Sequence, residues 1–579
     1  MIRRVTTLCT LLALFVAPSG AQPTALVGPT AVTPADSTVV EDATILIEEG
    51  RIAAVGPSSE VAVPADAVVH EMPDAYVLPG LIDGHVHFFQ SGGLYTRPDI
   101  LDLRAKRPYS EELRRLKARL PDTFRRYLRS GITSVVDVGG PMWNLDVRAR
   151  AETTATAPSV VTAGPLISSV SRPSLDEGDP PILKITTPDG AREEVQEQVE
   201  AGVDLIKIWY IVGGDETPAD YRPVVEATVD EAHRAGKRVA VHATELRTAR
   251  AAVEAGADIL VHSVFDRPVN DAFVQLLKKE EVLYTPTLMV QERYKETFAQ
   301  QLDFTRSEHR IGQKEVIGSL FDLRTLPDSL VPRGLRQRIE RTPAVPSDTV
   351  ALRNLKRLHD AGVPIVAGTD AGNIGTPHGP ALYREFELMR AAGLTPREIL
   401  TAATVGGARL MGMEDSVGRI EAGYQADLVV VEENPLQALP TTSSIRRVVN
   451  DGRVFEPEML VSRSPEEVVL QGRNALNAHD TAAFLDVFAD DFQVFDHPSA
   501  LSIDGRASFA ERYRPLLDRG SQVHAQFHYH TTVGTTVVAH ETMRGLPNRE
   551  TPLTQVVLYR VNDGVIDRAW LVQEAPSAR

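Results

Sequence analysis

The chain has 579 residues, 43% of them hydrophobic and 24% charged, and this composition predicts packed globular domains rather than a disordered chain. A chain of this length is expected to fold into roughly two to four structural units. Its formal net charge of -17 at pH 7 excludes a general nucleic-acid binder, which needs a basic face against the phosphates.

The N-terminus has the pattern of a secretory signal peptide, which we predict over residues 1–21. Arg3 and Arg4 precede the apolar residues 5–17, and small residues follow them. The apolar run is short for a membrane-spanning helix, so we predict a periplasmic or secreted protein with no transmembrane anchor; an uncleaved N-terminal anchor is the alternative. The only cysteine, Cys9, lies in this segment, so no disulfide is expected in the exported chain.

Two β-rich segments, residues 22–78 and 416–457, flank the long middle of the chain. The first contains the alternating run "ATILIEEGRIAAVG", with a turn at Gly50 and Arg51. The second contains "IRRVVNDGRVF", in which the Asp-Gly pair at 451–452 is a strong hairpin signal. We predict that the two segments pair into one small β-sandwich.

The middle region, residues 79–415, alternates strand-like apolar runs with amphipathic helix-like runs. The strand candidates are "GLIDGHVH", "GITSVVDV", "PSVVTAG", "DLIKIWY", "KRVAVHA", "ADILVHS", "EVLYTPTL" and "VPIVAGTD". Runs that are apolar on both faces are typical of parallel strands covered by helices. Eight such β/α units predict the α/β class and a (β/α)8 TIM-type barrel, whose active site lies at the C-terminal ends of the strands.

Side chains that can bind a metal lie at the C-terminal ends of several of these strand candidates. His85 and His87 are two positions apart and therefore point the same way from one strand. His242, His262 and Asp370 each end another apolar run. Imidazoles and a carboxylate that converge on one barrel mouth predict a metal site, since burying them without partners is costly. The alternative is that each is an ordinary hydrogen-bonded residue at a strand end.

Lys207 lies in an apolar run, between Leu205 and Ile206 on one side and Ile208 and Trp209 on the other. Burial disfavours the charged amine and lowers its pKa. A neutral amine reacts with carbon dioxide to give a carbamate, whose two oxygens can bridge two divalent ions. The alternatives are a lysine that extends its charge to solvent and a charged lysine that contacts the substrate.

The motifs "LPGLIDGHVH", "IKIW", "VAVHATE", "ILVHS", "AGTDAG" and "GRIEAGYQADLVVV" resemble the amidohydrolase superfamily, in particular its imidazolonepropionase- and prolidase-like branch. The resemblance covers roughly residues 25–455. It implies a barrel with a small β-sandwich formed by both flanking segments. It also implies two divalent ions, of which zinc is the expected one. The implied ligands are His85, His87 and Asp370 for one ion, His242 and His262 for the other, and N6-carboxylated Lys207 as the bridge.

The implied activity is hydrolysis of a C–N bond in an amide, a dipeptide such as X-Pro, or a cyclic amide. A hydroxide held by the metals attacks the carbonyl, and Asp370 acts as the general acid/base that moves the proton to the leaving nitrogen. The same metal site would serve an esterase, a lactonase or a phosphotriesterase. A third alternative is a non-catalytic binding protein that works through its C-terminal domain.

Three residues near the strand ends are predicted to contact a small-molecule substrate. The hydroxyls of Tyr210 and Tyr284 could bind a substrate carboxylate. His378, on the loop "GTPHGP", could contact substrate or orient Asp370. Residues 291–349 form a long connection with helical patterns, which predicts a lid over the site.

The last region, residues 464–579, predicts a separate α+β domain, because helical runs that begin at Ser464 precede four strand-like runs. It resembles the SnoaL-like, ketosteroid-isomerase-like cone fold. His524, His528 and His530 alternate along one strand and are expected on one face, where they could line a pocket, bind metal or lie half-exposed. Folds of this kind often form dimers, so a homo-oligomer is left open.

Overall fold

The computed structural model describes residues 22–573 except 37, 214–215, 328, 334, 336–348, 497, 518–520 and 548. The predicted signal peptide, residues 1–21, lies outside the described residues. In the part of the chain that is described, no helix is both long enough and apolar enough to cross a membrane.

The first flanking segment forms seven short strands. They are β1 (Thr24–Val27), β2 (Thr30–Thr33), β3 (Thr38–Val40), β4 (Ala43–Glu48), β5 (Arg51–Pro57), β6 (Val68–Glu71) and β7 (Tyr76–Pro79). One sheet has the order β5-β4-β1-β6. The predicted turn between β4 and β5 is present, and Gly50 in it has a φ of 78°, which glycine adopts without strain.

The middle region contributes nine parallel strands. They are β8 (Leu81–Val86), β9 (Ile132–Asp137), β10 (Ser159–Thr162), β11 (Leu166–Ser168), β12 (Ile182–Lys184), β13 (Ile206–Trp209), β14 (Val239–His242), β15 (Ile259–Val261) and β16 (Leu283–Thr285). Their sheets have the orders β10-β9-β8 and β12-β11-β13-β14-β15-β16. Seven of the predicted runs are among them, whereas β11 and β12 were not predicted.

The eighth predicted run, "VPIVAGTD", forms single parallel bridges rather than a named strand. Ile365 bridges to Tyr284 at one edge, and Ala371 bridges to Val86 at another. A further parallel bridge joins Ala163 to Leu205, between the two sheets. The run that ends in Asp370 therefore lies between β16 and β8.

Helices alternate with these strands. They are α1 (Tyr109–Arg129), α2 (Asn144–Glu152), α3 (Pro188–Ala201), α4 (Pro218–Arg234), α5 (Leu246–Glu254), α6 (Asp271–Lys279), α7 (Leu288–Ala299), α8 (Arg306–Ile311), α9 (Lys314–Leu320), α10 (Thr349–Asp360), α11 (Ala381–Ala391), α12 (Pro396–Thr401) and α13 (Gly407–Met411). Helices α7 to α9 occupy the long connection after β16. We call them the lid helices.

The strands carry two apolar layers, because successive residues point to opposite faces. The inner layer includes Leu205, Ile259 and Leu283. The outer layer packs the strands against the helices and includes Ile206 and Ile208. A residue's parity along its strand therefore decides whether it faces the interior or the helices.

The second flanking segment forms three strands that share a sheet with strands of the first. Its strands are β17 (Leu428–Val431), β18 (Ile445–Asn450) and β19 (Arg453–Phe455). They join a sheet of order β19-β18-β17-β7-β2-β3, in which β17 pairs antiparallel with β7. Strands of the two flanking segments are thereby paired within one sheet.

The C-terminal region is a helix-and-sheet unit. Its elements are α14 (Pro457–Leu460), α15 (Pro465–Ala478), α16 (Thr481–Leu485), β20 (Phe488–Asp496), β21 (Ala500–Asp504), α17 (Arg506–Leu517), β22 (His524–Val533), β23 (Thr536–Arg544), β24 (Leu553–Asn562) and β25 (Val565–Gln573). The sheet order is β21-β20-β25-β24-β23-β22, and a cavity of about 70 Å³ lies between the sheet and α15. Ser464 accepts a hydrogen bond from Glu467 N at 3.2 Å and so caps α15 as predicted.

The structure corrects the prediction that three histidines of β22 share one face. The register between β22 and β23 shifts between Phe527 and Tyr529, and this bulge changes the alternation at His528. His528 Nε2 lies 2.7 Å from the hydroxyl of Thr542, while His530 Nε2 lies 2.7 Å from a carboxylate oxygen of Glu466 in α15. The two side chains therefore have separate partners.

The C-terminal unit packs on the lid helices. Asn474 in α15 donates to the carbonyl oxygen of Lys314, the first residue of α9, at 2.8 Å. Arg324 donates to the carbonyl oxygen of Asn477 at 3.1 Å. The lid helices therefore lie between the C-terminal unit and the ends of the parallel strands.

Candidate metal centre

Three predicted ligands meet in one buried cluster. His85 Nε2 and His87 Nε2 are 3.3 Å apart, and they lie 3.4 Å and 3.3 Å from Asp370 Oδ1. Among the described residues, they form the one group of three or more side chains whose ligand atoms lie close enough together to hold a metal ion. The two nitrogens and one carboxylate oxygen are a donor set that divalent transition metals accept.

The ring of His87 is fixed by its other nitrogen. His87 Nδ1 lies 2.7 Å from the carbonyl oxygen of Gly139, which can only accept, so Nδ1 carries the proton and Nε2 presents a lone pair to the cluster. The carboxylate of Asp137 supports this arrangement. It accepts hydrogen bonds from Phe88 N at 3.1 Å, Gly139 N at 3.1 Å and Asn144 Nδ2 at 2.8 Å.

Asp370 is held in a strained backbone conformation. Its φ is 60°, in the left-handed region that costs a residue with a side chain about 1–2 kcal/mol. Its N–H donates to the carbonyl oxygen of His85 at 2.8 Å, and its Oδ1 accepts from Asn373 Nδ2 at 2.7 Å. Burial raises the pKa of Asp370, but its interactions with His85, His87 and His262 outweigh the burial and hold the pKa well below its usual range.

His242 and His262 lie on the other side of Asp370. Their ring centroids are 4.3 Å apart, and the ring of His262 is 4.9 Å from that of His85. His262 Nδ1 lies 2.7 Å from Thr287 Oγ1 and 3.9 Å from Asp370 Oδ2. Burial lowers the pKa of both imidazoles well below the usual value, so both are neutral and offer lone pairs at pH 7.

Lys207 completes the predicted set. Its side chain is fully buried, and among the described residues its Nζ has no hydrogen-bond partner. Burial lowers the pKa of Lys207 to about 7, and the nearby charge of Asp370 opposes this only in part. Its charge in turn lowers the pKa of His85, His242 and His262, because an ammonium among imidazoles disfavours their protonation. A buried charged amine without a partner is costly. The neutral imidazoles and the carboxylate of Asp370 therefore fit a metal cation better than they fit the charged form of Lys207.

The structure corrects the predicted substrate roles of the two tyrosines. Tyr210 donates its hydroxyl to the carbonyl oxygen of Pro218 at 2.5 Å, and Tyr284 accepts from Val264 N at 3.0 Å. Both rings belong to the outer layer, against the helices, and burial raises the pKa of each hydroxyl to about 12. Neither side chain is brought to the metal-competent cluster.

His378 is also corrected, because both of its ring nitrogens are engaged. Nδ1 lies 2.7 Å from the hydroxyl of Tyr127, and Nε2 lies 2.8 Å from the carbonyl oxygen of Gln90. Its ring stacks on Phe88 at a centroid distance of 5.6 Å. The side chain therefore anchors the segment directly after His87 rather than facing a substrate.

Several residues at the mouth were not predicted. Asn373 contacts Asp370, and its own Oδ1 accepts hydrogen bonds from Arg97 and Tyr294, each at 2.6 Å. The sequence signal for Asn373 was its place three residues after Asp370 in the Gly-rich run "AGTDAGN", whereas Arg97 and Tyr294 carry no local signal.

Residues 76–461 match the family model described as the amidohydrolase family, and residues 469–569 match that of a SnoaL-like domain. The chain is 25% identical over 460 residues to ochratoxinase of Aspergillus niger, which covers 73% of this chain and 85% of that protein. It is 34% identical over 113 residues to imidazolonepropionase of Geobacillus kaustophilus, covering 17% of this chain and 26% of that protein. A solved Xaa-Pro dipeptidase structure has a TM-score of 0.56 and 22% identity, and covers 75% of this chain and 100% of that one.

Proposed function

Because the chain belongs to the amidohydrolase family and carries a C-terminal SnoaL-like domain, we propose that it is an exported metal-dependent enzyme that cleaves an amide, dipeptide or cyclic-amide bond. Family members hydrolyse C–N bonds, and the chain is a hydrolase of this kind. One observation carries the proposal, which is that six side chains predicted from the sequence converge at one end of the parallel strands. They are His85, His87, Lys207, His242, His262 and Asp370.

We further propose that the parallel strands close into an eight-stranded barrel. The bridges of Ile365 to Tyr284 and of Ala371 to Val86 support closure, because they connect the run before Asp370 to an edge strand of each sheet. The bridge between Ala163 and Leu205 supports the remaining junction. A closed ring would explain why side chains from distant parts of the sequence meet at one mouth.

The residues fit two divalent ions of the zinc class. We propose that His85, His87 and Asp370 hold one and that His242 and His262 hold the other. Lys207 would bridge them after its neutral Nζ attacks carbon dioxide and releases one proton, which leaves a carbamate with two oxygens. The lowered pKa of Lys207 and its lack of a partner among the described residues support this modification.

Divalent ions bound there would lower the pKa of a water molecule and polarise the carbonyl of the scissile bond. The protein's own part is proton transfer. Asp370 is a carboxylate at neutral pH because its pKa lies well below the usual range, so it can accept a proton from the attacking water. It can then donate that proton to the leaving nitrogen, which must be protonated to depart. The hydrogen bond from His87 Nδ1 to the carbonyl oxygen of Gly139 fixes the orientation of the ring, so Nε2 stays directed at the site.

The substrate class is part of the proposal. Ochratoxinase matches this chain over 460 residues, and a Xaa-Pro dipeptidase shares the fold. The name of the dipeptidase supports a dipeptide as the substrate, and we include N-acyl amino acids because they carry the same kind of amide bond. An ester, a lactone or a phosphotriester is the alternative substrate, and a hydrolysis screen that includes these compounds beside amides distinguishes the alternatives.

The test is metal analysis of the purified protein followed by a hydrolysis screen. We expect about two divalent ions per chain and turnover of N-acyl amino acids or X-Pro dipeptides above that of aryl esters and lactones. Asp370→Asn should retain some metal and lose most turnover. His528→Ala, which removes a histidine of the C-terminal sheet, is the matched control and should change neither. Less than one metal per chain together with no hydrolysis would overturn the proposal.

Export is proposed from the N-terminal pattern alone, residues 1–21. The check is expression of the full chain in a Gram-negative host and N-terminal sequencing of the fractionated protein. Cleavage near residue 21 and recovery outside the cytoplasm are expected. An intact N-terminus on cytoplasmic protein contradicts it.

A further inference from the structure

We propose that Asn373 is a positioning residue for Asp370, and that Arg97 and Tyr294 fix its orientation. The inference rests on the proposed function, because it assigns Asp370 the proton-transfer role described above. It starts from four contacts. Asn373 Nδ2 donates to Asp370 Oδ1 at 2.7 Å, while Asn373 Oδ1 accepts from Arg97 Nη1 and from the Tyr294 hydroxyl, each at 2.6 Å. Arg97 also binds Asp99 through Nε at 2.7 Å.

The orientation of the Asn373 amide follows from the chemistry of its neighbours. A guanidinium has only donors, so the group that faces Arg97 must be the amide oxygen. The amide nitrogen must then face the carboxylate of Asp370, which has only acceptors when ionised. A flipped amide would place donor against donor and acceptor against acceptor. The network therefore admits one orientation, in which Asn373 donates to Asp370.

This hydrogen bond makes the two oxygens of Asp370 different. Oδ1 is held by Asn373 beside His85 and His87. Oδ2 points toward His262, 3.9 Å from its Nδ1, and accepts no hydrogen bond from the described residues. One oxygen is thereby committed to the first pair of histidines, and the other stays free to take and release a proton. A carboxylate that could rotate would lose this distinction.

The network also ties the carboxylate to the lid. Arg97 comes from the loop after β8, Tyr294 from lid helix α7, and Asn373 from the loop after Asp370. Arg97 is largely buried, with 11% of its side chain exposed, and its Nε and Nη2 donate to Asp99 at 2.7 Å and 2.8 Å. Tyr294 can donate to Asn373 only while helix α7 lies against the loop that carries Asn373. The alignment of Asp370 is thereby coupled to the position of the lid.

The decisive variant is Asn373→Asp. A carboxylate in this position still accepts from Arg97 and Tyr294, but it replaces the donor toward Asp370 with a negatively charged acceptor beside Oδ1. Loss of a residue that orients a metal ligand typically costs about 10–100-fold in activity or metal affinity. We therefore expect kcat to fall by about 10–100-fold with KM within about twofold. Asn373→Ala should lower kcat similarly.

The second readout is independent of substrate. Zinc affinity, measured by competition with a chromophoric chelator, should fall in both Asn373 variants by about 10-fold or more. Tyr294→Phe alone should have a smaller effect, because Arg97 still orients the amide. Adding Tyr294→Phe to Asn373→Ala should cost nothing further in kcat, since Tyr294 acts through Asn373. Additive losses in this double variant would overturn the proposal.

The outcomes separate this inference from the proposed function. If the wild-type chain hydrolyses its substrate and all Asn373 variants keep kcat and zinc affinity within twofold, only the positioning role fails. If the wild-type chain binds no metal and hydrolyses nothing, the proposed function fails as well. A large fall in kcat with an unchanged KM and a lower zinc affinity supports the positioning role, because a merely structural asparagine would lower stability without changing the kcat of the folded protein.

Discussion

Removing the hydroxyl of Tyr127 should destabilise the fold by an amount set by one buried hydrogen bond. His378 Nε2 lies 2.8 Å from the carbonyl oxygen of Gln90, which can only accept, so Nε2 carries the proton. Burial lowers the pKa of His378 to about 4, so the ring is neutral at pH 7 and its Nδ1 is an acceptor. Tyr127 must therefore donate, at 2.7 Å.

Tyr127→Phe leaves the lone pair of His378 Nδ1 buried and unpaired, which costs about 1–3 kcal/mol of the free energy of unfolding. Because His378 anchors residues 88–90, directly after His87, the zinc affinity should fall as well. That fall should be less than about 10-fold, since Tyr127 reaches the ligand only through intermediaries. Urea denaturation measures the first quantity, and chelator competition measures the second.

The matched control is Tyr383→Phe. Tyr383 is also buried and donates its hydroxyl to a backbone carbonyl, that of Ser130, at 2.8 Å. It should lose a similar free energy of unfolding and leave zinc affinity unchanged. The reasoning is refuted if Tyr127→Phe costs less than about 0.5 kcal/mol, the range of an ordinary surface substitution, or if both variants weaken zinc equally.

Three further predictions concern the same region. Burial lowers the pKa of His378 from 6.5 to about 4, so its contribution to stability is present above pH 6.5 and lost as the pH falls through 4. Between these two pH values, His378→Gln should therefore lose about 3 kcal/mol less of its free energy of unfolding than the wild type does, as measured by urea denaturation. Gly372→Ala should prevent stable zinc binding, because φ is 107° and the added Cβ would overlap the carbonyl oxygen of His87. Gly236→Ala is the control: its φ is 68° and the space around it is open, so it should cost only about 1–2 kcal/mol of the free energy of unfolding and leave zinc binding unchanged. Lys207→Ala should bind about one ion fewer per chain by metal analysis and regain part of its activity when a short carboxylate is added; full activity without the additive contradicts the bridging role.

The sequence predicted that five strand-end side chains would lie close together, because they stand at the ends of four apolar runs that form neighbouring parallel strands or bridges. A parallel strand delivers its last residues to a common edge, so distant positions such as His85 and Asp370 are brought together by the fold class alone. Lys207 has the parity of Leu205 in the inner layer, which agrees with its complete burial.

Parity also explains the two tyrosine errors. Tyr210 is three residues after Lys207, so it has the opposite parity and joins Ile206 and Ile208 in the outer layer. Tyr284 alternates with Leu283, which lies in the inner layer. Both could have been assigned to the helix side from the sequence, because the alternation rule that placed Lys207 applies to them without change.

Other features could not be read from local patterns. The bulge of β22 arises from its pairing with β23, which depends on a partner strand rather than on the His-x-His spacing. The contacts of Asn373 join residues from three separate loops and helices, so no spacing reveals them. The strands β11 and β12 lie in the connection between β10 and β13, where the repeating β/α pattern predicted no strand.

The backbone of the site shows why its residues must be supported from outside. His262 and Asp370 both have positive φ, at 76° and 60°, a conformation that each side chain resists. The same is true of Thr287, whose hydroxyl contacts His262. Such strain persists only where surrounding contacts over-determine the conformation. Here the support comes from buried partners such as Asn373, which donates to Asp370, and Thr287, which contacts His262, so substitutions at these partners should disturb the site although they would not bind the metals.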